Sequence, residues 1–64
     1  MVGGGMKIDH NEIIDTSFYS ISGRMAIVIE EALHRGRTIL HTSITADQHR
    51  FYGSIIWKEK EDAV

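Results

Sequence analysis

Arg37–Glu59 reads RTILHTSITADQHRFYGSIIWKE, two runs rich in β-branched and aromatic residues around Ala46, Asp47, Gln48 and His49. Such runs form strands, and a polar four-residue connection between them forms a hairpin. With that connection, Thr45 falls opposite Arg50, and the register that follows segregates the side chains. One face pairs Ile44 with Phe51, Thr42 with Gly53, Leu40 with Ile55 and Thr38 with Trp57. It is almost wholly apolar and is the expected seat of the core. The other face pairs Arg37 with Lys58, Ile39 with Ile56, His41 with Ser54, Ser43 with Tyr52 and Thr45 with Arg50. A slip of one residue exchanges the faces of one strand and destroys this segregation, so turn length and pattern support one another.

Upstream of the hairpin, Met25, Val28, Ile29, Ala32 and Leu33 fall on one stripe at 100° per residue, with Arg24, Glu30, Glu31, His34 and Arg35 away from it. Ser22 suits an N-cap and Gly36 the left-handed position that ends a helix, so a helix is expected from Arg24 to Arg35. Ile27, Val28 and Ile29 are consecutive β-branched residues, and a strand here would instead give an all-β four-stranded meander. The adjacent Glu30 and Glu31, which break strand alternation, favour the helix, on which Ile27 projects to the polar side. Before it, Ile13, Ile14, Thr16, Phe18, Tyr19 and Ile21 read as a first strand over Glu12–Ile21. The resulting fold class is α+β with the order β-α-β-β. A right-handed crossover gives a three-stranded antiparallel sheet of order 1-3-2 with the helix on one face.

Sixty-four residues allow one domain, and chains of about 60 residues bury only roughly 60% of the surface their unfolded form exposes. We read residues 1–8, with three consecutive glycines, as a flexible leader and residues 9–64 as one small domain. There is no cysteine to staple the fold, which suits a reducing compartment and leaves self-association as the expected source of extra burial. A cytoplasmic protein is expected. The longest apolar stretch, Met25–Ile29, is far short of the ~20 residues that cross a bilayer. The formal net charge of −2 gives no bulk attraction to nucleic acid or anionic lipid.

The four histidines, His10, His34, His41 and His49, lie on different elements without ligand spacing, and no metal or other cofactor is expected. Ser43, His41, Asp47 and His49 share one hairpin but do not converge into a nucleophile, base and orienting group, so no catalytic residue is assigned and an enzyme is not expected. One helix cannot cover both faces of a sheet, which makes the second face the functional candidate. Ile39, Tyr52 and Ile56 there, with Ile27 on the helix, are the expected oligomer interface, and the leading expectation is a non-enzymatic homo-oligomeric binding or assembly module. An alternative is single-stranded nucleic acid lying on the same face, with Tyr52 and His41 stacking on bases and Arg37, Arg50 and Lys58 reaching phosphates. A third reading is a flat small-molecule ligand at a subunit interface, lined by Trp57, whose other role is core packing with its indole N–H satisfied by an acceptor. The element order, without a residue motif beyond it, is similar to the architecture of the flavin-storing dodecins, which pack such units into hollow shells.

Overall fold

The computed structural model describes residues 7–60. The chain runs β1 (Ile8–Asp15), α1 (Phe18–His34), β2 (Thr38–Ala46) and β3 (Phe51–Lys58). The sheet is antiparallel in the order β1-β3-β2, with β3 central, and α1 packs on one face. This is the expected α+β arrangement, and the meander does not form. The leader reading lies outside the described residues as far as position 6, while Ile8 already belongs to β1.

The first strand and the helix divide at a different place from the one predicted. Phe18, Tyr19 and Ile21 are helical, and the strand is the less β-prone segment IDHNEIID before them. Local chemistry at the junction explains the shift. The Asp15 carboxylate accepts from the Thr16 N–H (2.7 Å), the Ser17 N–H (3.4 Å) and the Ser20 hydroxyl (2.6 Å). Ser17, at φ −129° and ψ 129°, caps the helix by accepting from the Ser20 N–H. Ser22 is therefore inside the helix. The apolar stripe extends backwards by one turn, so Ile21 joins Met25, Val28, Ile29 and Ala32 against the sheet, whereas Leu33, expected on that stripe, is 57% exposed. Phe18 packs edge-on against Phe51, with ring centroids 5.8 Å apart.

At its other end α1 stops as predicted. Gly36 has φ 77°; its N–H donates to the Leu33 carbonyl and that of Arg37 to the Ala32 carbonyl, both at 3.0 Å. These two bonds form a Schellman motif, which needs a left-handed residue at Gly36.

The hairpin register differs from the expected one by two residues near the turn. Ala46 pairs with Phe51, Thr45 with Tyr52, Ile44 with Gly53 and Thr42 with Ile55, so the connection is Asp47–Arg50. Asp47 Oδ1 accepts from the N–H groups of His49 and Arg50, each at 2.8 Å, and the Asp47 N–H donates to the Arg50 carbonyl at 3.0 Å. The aspartate side chain thus starts the turn at itself. At the far end Ile39 pairs with Trp57 and Thr38 with Lys58, one residue out of phase with the turn end, and the difference is absorbed as an irregularity at Leu40. Two anchors demand registers one residue apart: the Asp47 turn and the entry of Arg37 from the helix cap. The surplus residue becomes a bulge on an edge strand, where bulges are best tolerated.

The bulge corrects the expected face assignment. Ile39, expected on the open face, packs against the core beside Trp57, and Leu40, expected in the core, is 48% exposed. The core consists of Ile13, Ile21, Met25, Ile55 and Trp57, with Val28, Ile29, Ile39, Ile44 and Phe51 packed around it. Gly53 lies at its centre. A Cβ built there would meet Met25 Sδ at 2.6 Å and Ile21 Cδ1 at 3.3 Å, so the missing side chain is what lets the helix sit this close to the central strand.

Gly53→Val improves strand propensity but inserts carbon atoms into a filled site. It is expected to destabilise the fold by about 1–3 kcal/mol in urea unfolding, and a stability equal to or above the wild type contradicts this packing.

Candidate functional site

The face of the sheet away from α1 carries four rows of side chains, because directly paired residues point to the same side. From one end these are Ile14–Tyr52–Thr45, Glu12–Ser54–Ser43, His10–Ile56–His41 and Ile8–Lys58–Thr38. Tyr52 and Ile56, two expected interface residues, lie here and are half-buried, held on the central strand. β1 adds Ile8 and Ile14, at 54% and 53% exposure; Ile8 lies before the expected strand, which began four residues later, and Ile14 was placed on that strand but not assigned to this face. Among the described residues the result is an uncovered face on which Ile8, Ile14, Tyr52 and Ile56 are interleaved with hydroxyls and with His10, His41, Glu12 and Lys58.

Two of the expected cationic contacts do not join it. Arg37 turns to the helix side, where its guanidinium carbon is 5.0 Å from the Trp57 ring centroid and its Nε is 2.8 Å from Glu59 Oε1. Glu59 Oε2 accepts from the Trp57 indole N–H at 3.0 Å. Trp57 is 6% exposed, so it is a core residue whose polar edge and ring face are both occupied. Arg50 sits in the turn rather than opposite Thr45, and its backbone groups serve Asp47. The expected face of three bases and no acid is therefore corrected. Among the described residues Lys58 is its one lysine or arginine and Glu12 its acid, and His10 Nε2 is 3.9 Å from Glu12 Oε1. The pairing of His10 and His41 with the two sides of Ile56 was invisible in sequence, because they are 31 positions apart and meet only through a third strand.

Ile27 is exposed, as its helical position predicted, at 67%. It is not on the open face, however. With Val28, Arg24, Ile13, Asn11 and Glu12 it lines an open groove of about 310 Å³ between α1 and the free edge of β1. Arg24 Nη1 closes one end by donating to the Ile14 carbonyl (3.2 Å) and lying 3.3 Å from Asp15 Oδ2.

The carboxylates that organise these junctions are stabilised as anions. Asp15 is held below its ordinary pKa by the Ser20 hydroxyl first, then by the Thr16 N–H and Arg24. The His49 N–H, then the Tyr52 hydroxyl and the Arg50 N–H, do the same for Asp47, and the Trp57 indole and Arg37 for Glu59. Tyr52 donates to Asp47 Oδ2 at 2.7 Å, and this bond, ahead of burial, raises the phenol's pKa. Among the described residues no three His, Asp or Glu side chains converge on a metal-sized space, and no helix is long and apolar enough to cross a membrane. Comparison with protein-family models, curated proteins and solved structures finds no match.

For Asp15, Asp47 and Glu59 the folded value is the lower one, so their contribution to stability is complete above the unfolded pKa and is lost as pH falls through the folded value, in the region below about 4. For Tyr52 the folded value is the higher one, and its contribution is lost only as pH rises through that value, above about 10. In Asp47→Asn the Tyr52 phenol, followed by NMR, is expected to titrate at lower pH than in the wild type; an unchanged midpoint contradicts the Tyr52–Asp47 bond.

Proposed function

We propose that this chain is a small non-enzymatic assembly module whose open sheet face is covered by further copies of itself. The supporting observation is that Ile8, Ile14, Tyr52 and Ile56 lie on the side of a three-stranded sheet that, among the described residues, the one helix leaves bare. A small chain has little core to stabilise it, and a second copy laid on this face removes the exposed apolar area from water at about 25 cal/mol per Å². The hydroxyls of Ser43, Thr45 and Ser54 are short and tolerate such contact, and of the charged side chains Lys58 lies at the end of β3 and Glu12 on the edge strand β1. The reading includes a cytoplasmic setting, in keeping with a chain without cysteine.

The nucleic-acid reading loses support from the placement of Arg37 and Arg50, since a strand of phosphates crossing this face would meet Glu12 and find Lys58 as its main cation. A ligand pocket lined by Trp57 loses support from the burial of that ring under α1 and Arg37.

Sedimentation of the wild type and of Ile56→Glu tests the proposal. The wild type is expected as an oligomer and Ile56→Glu as a smaller species with unchanged circular dichroism. An Ile56→Glu protein with the mass of the wild type rules the open face out as the interface.

A further inference from the structure

We propose a second and separate contact between copies: the free edge of β1 pairs antiparallel with the β1 edge of another copy about a twofold axis at Asn11, extending the sheet to six strands. The two outer edges of the sheet are not equivalent. The β2 edge is interrupted at Leu40, the kind of irregularity that discourages pairing with another chain. β1 runs for eight residues without a shift in register.

The hydrogen-bonding direction of that edge follows from two contacts. The Glu59 N–H donates to the Lys7 carbonyl at 2.8 Å, which makes Lys7 and Glu59 a hydrogen-bonded pair; the odd-numbered residues of β1 therefore direct their backbone groups towards β3. Ile8, His10, Glu12 and Ile14 direct theirs outward. Arg24, reaching round from α1 to the Ile14 carbonyl, confirms that this carbonyl faces the open side. Its second lone pair remains for a partner strand.

A twofold axis perpendicular to the sheet requires one residue to face its own copy and keeps both helices on the same side. With Asn11 on the axis, His10 faces the second copy's Glu12, Ile8 faces its Ile14, and Lys7 faces its Asp15. Each contact occurs twice, and the outward residues form about eight backbone hydrogen bonds. Asp9 faces the second copy's Ile13, the one pair without complementarity. The neighbouring symmetric registers are worse. Asp9 on the axis faces Asp9, and Glu12 on the axis faces Glu12 while setting Asp9 against Asp15; like charges directly opposite destabilise a strand pair. His10 on the axis sets Ile8 against Glu12, and Ile13 on the axis sets Ile14 against Glu12. The charge pattern of IDHNEIID is thus self-complementary in one register.

That register also accounts for two features of the helix side. The groove of about 310 Å³ opens along this edge, and Ile27 is exposed at its rim. In the six-stranded sheet the two helices flank the axis, so each copy closes the other's groove and the two Ile27 side chains turn towards a shared, covered space. This contact does not require the open-face contact: it is made through the outward backbone groups of β1, whereas the open face is centred on Tyr52 and Ile56 of β3, and the two share only the side chains at the β1 margin.

Because the chain has no cysteine, a single introduced one reports the pairing without interference. Asn11→Cys places two thiols in a non-hydrogen-bonded antiparallel pair, with Cα atoms about 4.5 Å apart, within disulfide reach. Asp9→Cys places them about 13 Å apart along the strands, beyond it. Mild oxidation of the full chain, read by intact mass, is expected to give roughly tenfold more linked dimer for Asn11→Cys than for Asp9→Cys. Glu12→Pro removes an outward N–H without touching the bonds to β3, so it should keep the circular dichroism of the fold while abolishing the linkage when combined with Asn11→Cys. Linkage in Ile56→Glu that persists at the level of the parent shows that the edge contact stands without the open face. Equal linkage of Asn11→Cys and Asp9→Cys, no linkage of Asn11→Cys, or linkage that survives a folded Glu12→Pro overturns the β1 pairing, whatever the Ile56→Glu sedimentation shows.

Discussion

The contact between Met25 and the bare backbone of Gly53 sets the spacing on which the rest of the molecule depends. It is the point where α1 approaches the central strand with no side chain between. Close approach there lets Ile21 and Ile55 become fully buried and brings Trp57 and Ile13 under the same helix. The sheet is only three strands wide, so one closely seated helix suffices to dry one side. The same economy leaves the second side bare. Burial on one face and exposure on the other are two consequences of one helix serving one sheet.

Around this apolar contact the chain reversals are held by carboxylates. Asp15 joins β1 to α1, Asp47 shapes the hairpin turn, and Glu59 ties the end of β3 to Arg37 at the start of β2. Each of the three anions is surrounded by donors, which is why each is lowered in pKa. The exposed contacts at Asp15 and Asp47 add little stability individually, and those of Glu59 are part-buried. Their effect is on geometry: they decide where elements begin, and hence which side chains reach which face. The Leu40 bulge shows this most directly, since it exists to reconcile the Asp47 turn with the Arg37 anchor and in doing so exchanges Ile39 for Leu40 in the core.

The open face and the β1 edge are adjacent, and both carry Ile8 and Ile14. Pairing at the edge doubles the width of the bare face, so a second layer of copies would find a broader apolar surface than one chain offers. An assembly built from both contacts would bury the rows of Tyr52 and Ile56 together with the groove beside Ile27. His10 and His41 would then lie close to the interface on either side of Ile56.

The amino-acid sequence by itself determined the element order, the helix stop at Gly36, the hairpin and the burial of Trp57. These rest on local signals, namely a glycine able to take positive φ, a polar turn and alternating apolar positions. The start of α1 was also written locally, in Asp15, Ser17 and the backward extension of the Met25 stripe to Ile21. It was hidden because Phe18, Tyr19 and Ile21 are strand formers by composition, and a short apolar run does not declare its period. Tertiary structure alone decided the rest. IDHNEIID is a strand because β3 offers it partners, and Ile39 rather than Leu40 is core because two distant anchors disagree by one residue. Arg37 left the open face for Trp57 and Glu59, and His10 met His41 across Ile56, because a ring face, a carboxylate and a neighbouring strand become neighbours only once the chain has closed.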